Sequence, residues 1–297
     1  MGSGRWTTSS YTAYSTSKGY NTTFTSTGNV VLNASYDARQ LFRACKMAKE
    51  LNPKNVVREC CDSEEHPNTI PVILALDVTG SMGAGSAEVA KKLNEVMTEL
   101  YKKVNDVEFC VMGIGDLAYD EAPIQISQFE SDIRIAEQLD KVWLEGGGGG
   151  NKFESYTVAW YMGVYHTKLD CWNRGKKGII ITMGDEMLNP YLPHRRLNEA
   201  TGDSNQADVE TGELYNIAKD KFDIYHIAVD ARETSYDWNK ERIYSEDSFP
   251  KYLDEDHLFT CSLDNIASAI ISIVENSSTD MPATPANTTN EDGEIVW

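Results

Sequence analysis

Three side chains with oxygen to offer stand on alternate positions at Asp77, Thr79 and Ser81, with Gly80 between the last two. Alternation aims side chains from extended backbone the same way, and glycine lets the chain turn sharply among them. One carboxylate and two hydroxyls form a hard donor set, suited to Mg²⁺, Mn²⁺ or Ca²⁺ rather than to thiophilic zinc. Neutral hydroxyls leave such an ion short of anionic ligands. It then welcomes a carboxylate from outside, which is a way of holding a protein partner. A second acid, Asp185, ends the run GIIITMGD much as Asp77 ends IPVILALD, and supplies a further charge directly or through water. Five glycines at 146–150 precede Asn151, the first candidate for another oxygen, with Ser155 and Glu154 as alternatives.

Each of these has a plainer reading. Asp77 alone is a turn residue, and Thr79 and Ser81 alone are helix caps. Asp185 alone is a solvated loop acid, and a glycine run alone is a flexible linker. The order of the three segments favours a site over the separate plain readings. Other candidates carry less. The five histidines show no metal-binding spacing, and His166 and His226 lie in apolar elements as satisfied interior groups. Asp116 and Asp120 read as surface acids near the rim, and Glu64, Glu65 and His66 as a solvated connector. Trp143, Trp160 and Tyr161 occupy core-like positions. The terminal EIVW reads as a frayed end.

The elements that must hold these residues are legible as apolar runs. IPVILALD (70–77), VEFCVMGIGD (107–116), KGIIITMGD (177–185) and DIYHIAVD (223–230) are buried strands, IQISQF (124–129) an edge strand, and HLFTCS (257–262) a shorter one. Helices are expected over 36–51, 86–104, 132–144, 154–169, 209–222 and 263–276. The second carries apolar residues at 89, 93, 96, 97, 100, 101 and 104. Strands alternating with helices predict an α/β fold: a Rossmann-like, doubly wound, mostly parallel sheet flanked by helices on both faces. In such sheets ligands sit outside the carboxyl ends of the strands, where Asp77 and Asp185 fall. The expected organisation is an irregular polar arm over 1–35, a helix and connector over 36–69, the main domain over 70–276 and a disordered acidic tail over 277–297.

With 46 acidic and 27 basic residues the chain carries a net charge of −19. That field repels phosphate backbones and anionic lipid, so neither nucleic acid nor membrane is an expected partner. No apolar run is long enough to span a bilayer. The first twenty residues have no apolar core of a secretory signal. The six cysteines lack C-x-x-C spacing, and reduced thiols in a cytoplasmic protein are the expectation.

The motif D-V-T-G-S after an apolar strand resembles the D-x-S-x-S metal-ion-dependent adhesion site of von Willebrand factor A domains. G-G-G-N before a helix resembles that family's second loop, with Asn151 where Thr or Asp is frequent. G-I-I-I-T-M-G-D-E is similar to its strand ending in T-D-G-E, departing from it at Met183, Gly184 and Asp185. The run DSEEHPNTIPVILALDVTGSM looks most like intracellular bacterial and phage members. The resemblance spans residues 66–276 in outline. It implies a non-enzymatic, metal-dependent interaction module, with Asp77, Thr79, Ser81, Asn151 and Asp185 around Mg²⁺ (or Mn²⁺ or Ca²⁺). The implied partner offers an Asp or Glu carboxylate; a MoxR-type AAA+ ATPase, or a virion component for a phage protein, fits that pattern. Two alternatives stand beside it. One is a haloacid-dehalogenase-like phosphotransferase using Asp77, although residue 79 is Thr where that family has Asp. The other is a scaffold of the same fold with an empty, degenerate site.

Overall fold

The computed structural model describes residues 4–146, 151–230 and 243–279. Its centre is a six-stranded sheet of β1 (Ile70–Asp77), β2 (Val107–Ile114), β3 (Ile124–Ile126), β4 (Gly178–Gly184), β5 (Phe222–Asp230) and β6 (Leu258–Ser262). The spatial order is β6-β5-β4-β1-β2-β3. Every neighbouring pair is parallel except β2 with β3, which is antiparallel at the edge. All eight residues of β1 and of β2 are buried, Glu108 included, as strands covered on both faces must be.

Side chains alternate across the sheet and feed two cores. Val72, Leu74 and Leu76 enter one with Ile179, Ile181 and Met183, while Ile73 and Ala75 enter the other with Ile180. The first face is covered by α1 (Thr8–Ser17), α2 (Ala38–Leu41), α3 (Gly83–Lys103), α4 (Arg134–Leu139) and the last helix; the second is covered by α5 (Thr157–Tyr165), α6 (His194–Thr201) and α7 (Thr211–Ala218). The last helix, α8 (Ile266–Thr279), packs beside α3. The doubly wound, mostly parallel architecture is the one the alternation of elements predicts.

Several elements differ from expectation. Residues 1–35 are not an irregular arm where the structure describes them. The helix α1 is capped by Thr7, whose side chain accepts from the Ser10 amide, and Thr22–Phe24 pairs antiparallel with Val30–Leu32. Trp6, Tyr11 and Tyr20 are buried in the first core, and Trp6 Nε1 donates to Asn94 Oδ1 at 2.8 Å. The apolar surface of this segment is aromatic and hidden in a Ser/Thr-rich composition, so no helical period shows.

The helix expected over 36–51 reduces to α2 and a short 3₁₀ turn, Lys49–Leu51. Asp37 is the N-cap, in a reciprocal capping box with Gln40. Leu41 and Phe42 are both buried, and Phe42 leaves the helix in extended conformation. The helix expected over 132–144 stops at Leu139. Beyond it, buried Gln125 holds the backbone of Trp143, donating to its carbonyl (2.8 Å) and accepting from its amide (2.9 Å), so Trp143 stays half-buried. The helix expected over 154–169 ends at Tyr165 because Thr167–Leu169 pairs as a strand with Arg58–Cys60. The one expected over 209–222 spans only Thr211–Ala218. The helix α8 runs three residues past 276, into the expected tail; the remainder of that tail, and glycines 147–150, lie outside the described residues.

Candidate functional site

The strand β1 ends at Asp77 beside Ile114 of β2, and β4 ends one residue before Asp185. Strand pairing thus brings both acids to one edge of the sheet. Asp77 is fully buried. Its Oδ1 accepts from the Thr79 amide (2.8 Å) and, in a short hydrogen bond, from the Thr79 hydroxyl; its Oδ2 accepts from the Tyr156 hydroxyl at 2.8 Å. Burial pushes the Asp77 carboxyl up to about 7 against the pull of these donors, and the charge of Asp185 adds to the rise.

The loop then turns through exposed Gly80, and α3 begins at Gly83. Ser81 Oγ donates to Asp185 Oδ1 at 2.8 Å and stands 3.5 Å from Thr79 Oγ1. Four of the five residues singled out from sequence, Asp77, Thr79, Ser81 and Asp185, therefore form one connected cluster.

Asn151 does not join it. Its Nδ2 donates to Asp116 Oδ2 at 2.6 Å, and its Oδ1 accepts from the Phe153 amide. Of the alternatives, Ser155 Oγ accepts from the Leu117 amide. Glu154 is the notable one: only 5% of it is exposed, and its Oε2 has no hydrogen-bond partner. Burial, then the charges of Asp77, Asp116, Asp120 and Glu186, push its carboxyl up to about 10. The charges acting most strongly on it are all acids. Asp116 and Asp120 are buried, not the surface acids their sequence suggests; Asp120 Oδ2 accepts from the Asp116 amide, and burial raises its pKa. Arg196, whose guanidinium reaches this turn, donates to the carbonyls of Leu117 and Asp120 and to Glu199.

Tyr156 is the residue that the sequence did not disclose. It is fully buried between Asp77 and the end of β4, and it also accepts from the Glu186 amide at 3.3 Å. Burial and the flanking acids raise its pKa, which keeps the phenol a donor to Asp77. It also explains Gly184, where the chain departs from T-D-G-E: a Cβ there would lie 1.9 Å from the Tyr156 oxygen. The clue in the sequence is the pairing of an aromatic in S-Y-T with a glycine directly before the acid. Next to Tyr156 lies His226, stacked on Phe249 at 3.7 Å. Its Nδ1 meets the Thr182 hydroxyl at 2.9 Å while Nε2 has no partner, so it is an interior histidine only half satisfied. His166 is fully satisfied, by the Val56 carbonyl and Asp203. His66 bonds Asp106 and the Gly4 carbonyl, away from this edge.

A hard divalent cation fits this donor chemistry. Two carboxylates and two hydroxyls converge, and a buried carboxylate oxygen stands unpaired in an acidic surround. Among the described residues no three His, Cys, Asp or Glu side chains gather as a metal group. An ion here would therefore depend on the hydroxyls and on water, as it must with Mg²⁺ and its reluctance to dehydrate. Two residues on from Asp77, where a phosphotransferase of the haloacid-dehalogenase type would have a second acid, the Thr79 hydroxyl instead donates to Asp77.

No family model matches the chain, and no curated protein sequence does. Among solved structures it is similar to the pilus adhesin SpaC from Lactobacillus rhamnosus GG in its open conformation. There the identity is 14%, 76% of this chain and 31% of that chain are covered, and the TM-score is 0.48. It is also similar to the vWF domain of the type V pili tip protein Mfa5 from Porphyromonas gingivalis (14% identity, 73% and 98% covered, TM-score 0.44). A third is BatB, a conserved hypothetical protein from Bacteroides thetaiotaomicron (13%, 71% and 99%, 0.40). The chain thus spans about a third of SpaC.

Proposed function

We propose that the chain is a non-enzymatic protein-interaction module of the von Willebrand factor A type, in which Asp77, Thr79, Ser81 and Asp185 hold Mg²⁺ or Mn²⁺ and the ion takes a carboxylate from a protein partner. The observation that carries this reading is the hydrogen bond from Ser81 Oγ to Asp185 Oδ1. It joins the loops after two strand ends, 104 residues apart in sequence, with Ser81 Oγ 3.5 Å from Thr79 Oγ1. The donors nearest the solvent are hydroxyls, so a bound ion keeps much of its charge and an open position for an external carboxylate. Asn151 belongs to the surround through Asp116 rather than to the ion itself. Tyr156 holds Asp77 in place, and Gly184 makes room for Tyr156.

Mn²⁺ titration followed by electron paramagnetic resonance tests the reading. Free Mn²⁺ signal is expected to fall on addition of the full chain, and much less with Asp77→Ala or Asp185→Asn. Tyr156→Phe, which removes a positioning bond to a metal-binding carboxylate, is expected to weaken Mn²⁺ by roughly tenfold or more. Equal Mn²⁺ uptake by the parent and Asp77→Ala would overturn the assignment.

A further inference from the structure

Beside the exposed Gly80 of the metal loop lies an open groove of about 470 Å³ between the segment around α2 and the first two turns of α3. Gly83, Ala84 and Ala87 of α3 line it, together with Leu263. Small residues along a helix let a second backbone approach closely, which is what an extended peptide needs. The groove is therefore continuous with the loop that carries Thr79 and Ser81.

The charges along it differ from those elsewhere around the site. Elsewhere around Asp77 the acids Asp116, Asp120 and Glu186 surround buried Glu154, and their charges disfavour an acidic partner there. In the groove, Asp37 is occupied as the cap of α2, and Glu88 is paired with Lys91 at 2.7 Å. Arg39 is exposed on the wall, and among the described residues no side chain or carbonyl pairs with its guanidinium. In a chain of net charge −19, this is a cation unpaired among the described residues, next to the loop where a partner's carboxylate is wanted.

We infer that the partner is an acidic peptide segment that leaves the metal along this groove, with one carboxylate on the ion and a following carboxylate on Arg39. The inference rests on the metal-dependent reading above and adds the direction and charge of what is bound. Arg39 presents a planar fork matched to a carboxylate, so it selects acidic over merely polar segments.

The test uses the full chain in saturating Mg²⁺ and a fluorescein-labelled hexaglutamate amide as probe, read by fluorescence anisotropy, with Mg²⁺ affinity measured separately by calorimetry. The parent is expected to bind the probe and to bind hexaglutamine far less. Arg39→Glu is expected to weaken the probe roughly five- to tenfold, as reversal of one exposed ion pair does, with Mg²⁺ affinity unchanged. Lys54→Glu makes the same change of net charge away from the groove and is expected to stay close to the parent. Probe binding unaffected by Arg39→Glu, equal weakening by Lys54→Glu, or no probe binding by the Mg²⁺-loaded parent each overturns the groove. A parent that takes up no Mg²⁺ sinks instead the metal reading on which the groove rests.

Discussion

At the scale of single residues, the site is governed by one buried carboxylate and the donors that hold it. Asp77 could not sit fully buried without Thr79 and Tyr156, because each unpaired oxygen there costs its desolvation. Tyr156→Phe leaves Oδ2 without its donor and is expected to lower the stability of the metal-free protein by about 1–3 kcal/mol, measured by urea unfolding. Gly184→Ala drives a methyl into the Tyr156 oxygen and is expected to cost about 1–3 kcal/mol by overpacking. It should also weaken Mn²⁺ as Tyr156→Phe does. Stability unchanged in Gly184→Ala would mean that the Tyr156 contact is not what fixes that glycine. At this scale the sequence disclosed the donors with short, recognisable spacing, Asp77, Thr79 and Ser81. It withheld Tyr156, which reaches Asp77 across 79 residues. It also misled on Asp116 and Asp120, since acids in a polar stretch look solvent-exposed until the fold buries them.

Secondary-structure elements were legible in proportion to how directly apolar residues define them. The strands β1, β2, β4 and β5 are predominantly apolar runs, broken in β2 by Glu108 and in β5 by Asp223 and His226, that end close to where their composition changes. Helix ends were overrun where one buried polar side chain sets the stop, as Gln125 does for the chain at Trp143. The helix α1 was invisible because its core contacts are Tyr and Trp among Ser and Thr. Trp6 fixes the segment by filling the core and donating to buried Asn94 in α3. Trp6→Ala is therefore expected to cost about 3–5 kcal/mol in urea unfolding, the range for a large aromatic removed from a core. A mobile arm would give no change, and that result would contradict the docking of residues 4–20.

The whole molecule carries its acids unevenly, and that sets how it responds to pH and metal. A carboxyl whose folded pKa lies above its unfolded value binds protons more readily when folded, so stability falls as pH rises between the two values. Asp77 and Glu108, each raised by burial to about 7, act in this direction, and Glu154, raised to about 10, extends it to higher pH. His226 acts oppositely. Burial lowers it to about 3, so the unfolded chain takes up a proton near 6.5 that the folded one refuses, and acidification below that point costs stability. Between about pH 6.5 and pH 8.5 the acids act without His226. The metal-free protein is expected to lose urea resistance across that window, and Mg²⁺ is expected to restore more at the upper end than at the lower. A flat or rising profile without metal would contradict the burial of this acidic group. Among the described residues no helix is long and apolar enough to cross a membrane, and all six cysteines are free.

The measurement that bears most directly on the central claim is calorimetric titration of Mg²⁺ into the full chain near pH 7.5, beside Ser81→Ala. That variant removes one hydroxyl donor and the link to Asp185 while leaving every buried acid in place. A saturable one-site isotherm in the parent, weakened at least tenfold in Ser81→Ala, is the expected result. No saturable heat in the parent, or the same affinity in both proteins, would contradict a cation held by Asp77, Thr79, Ser81 and Asp185.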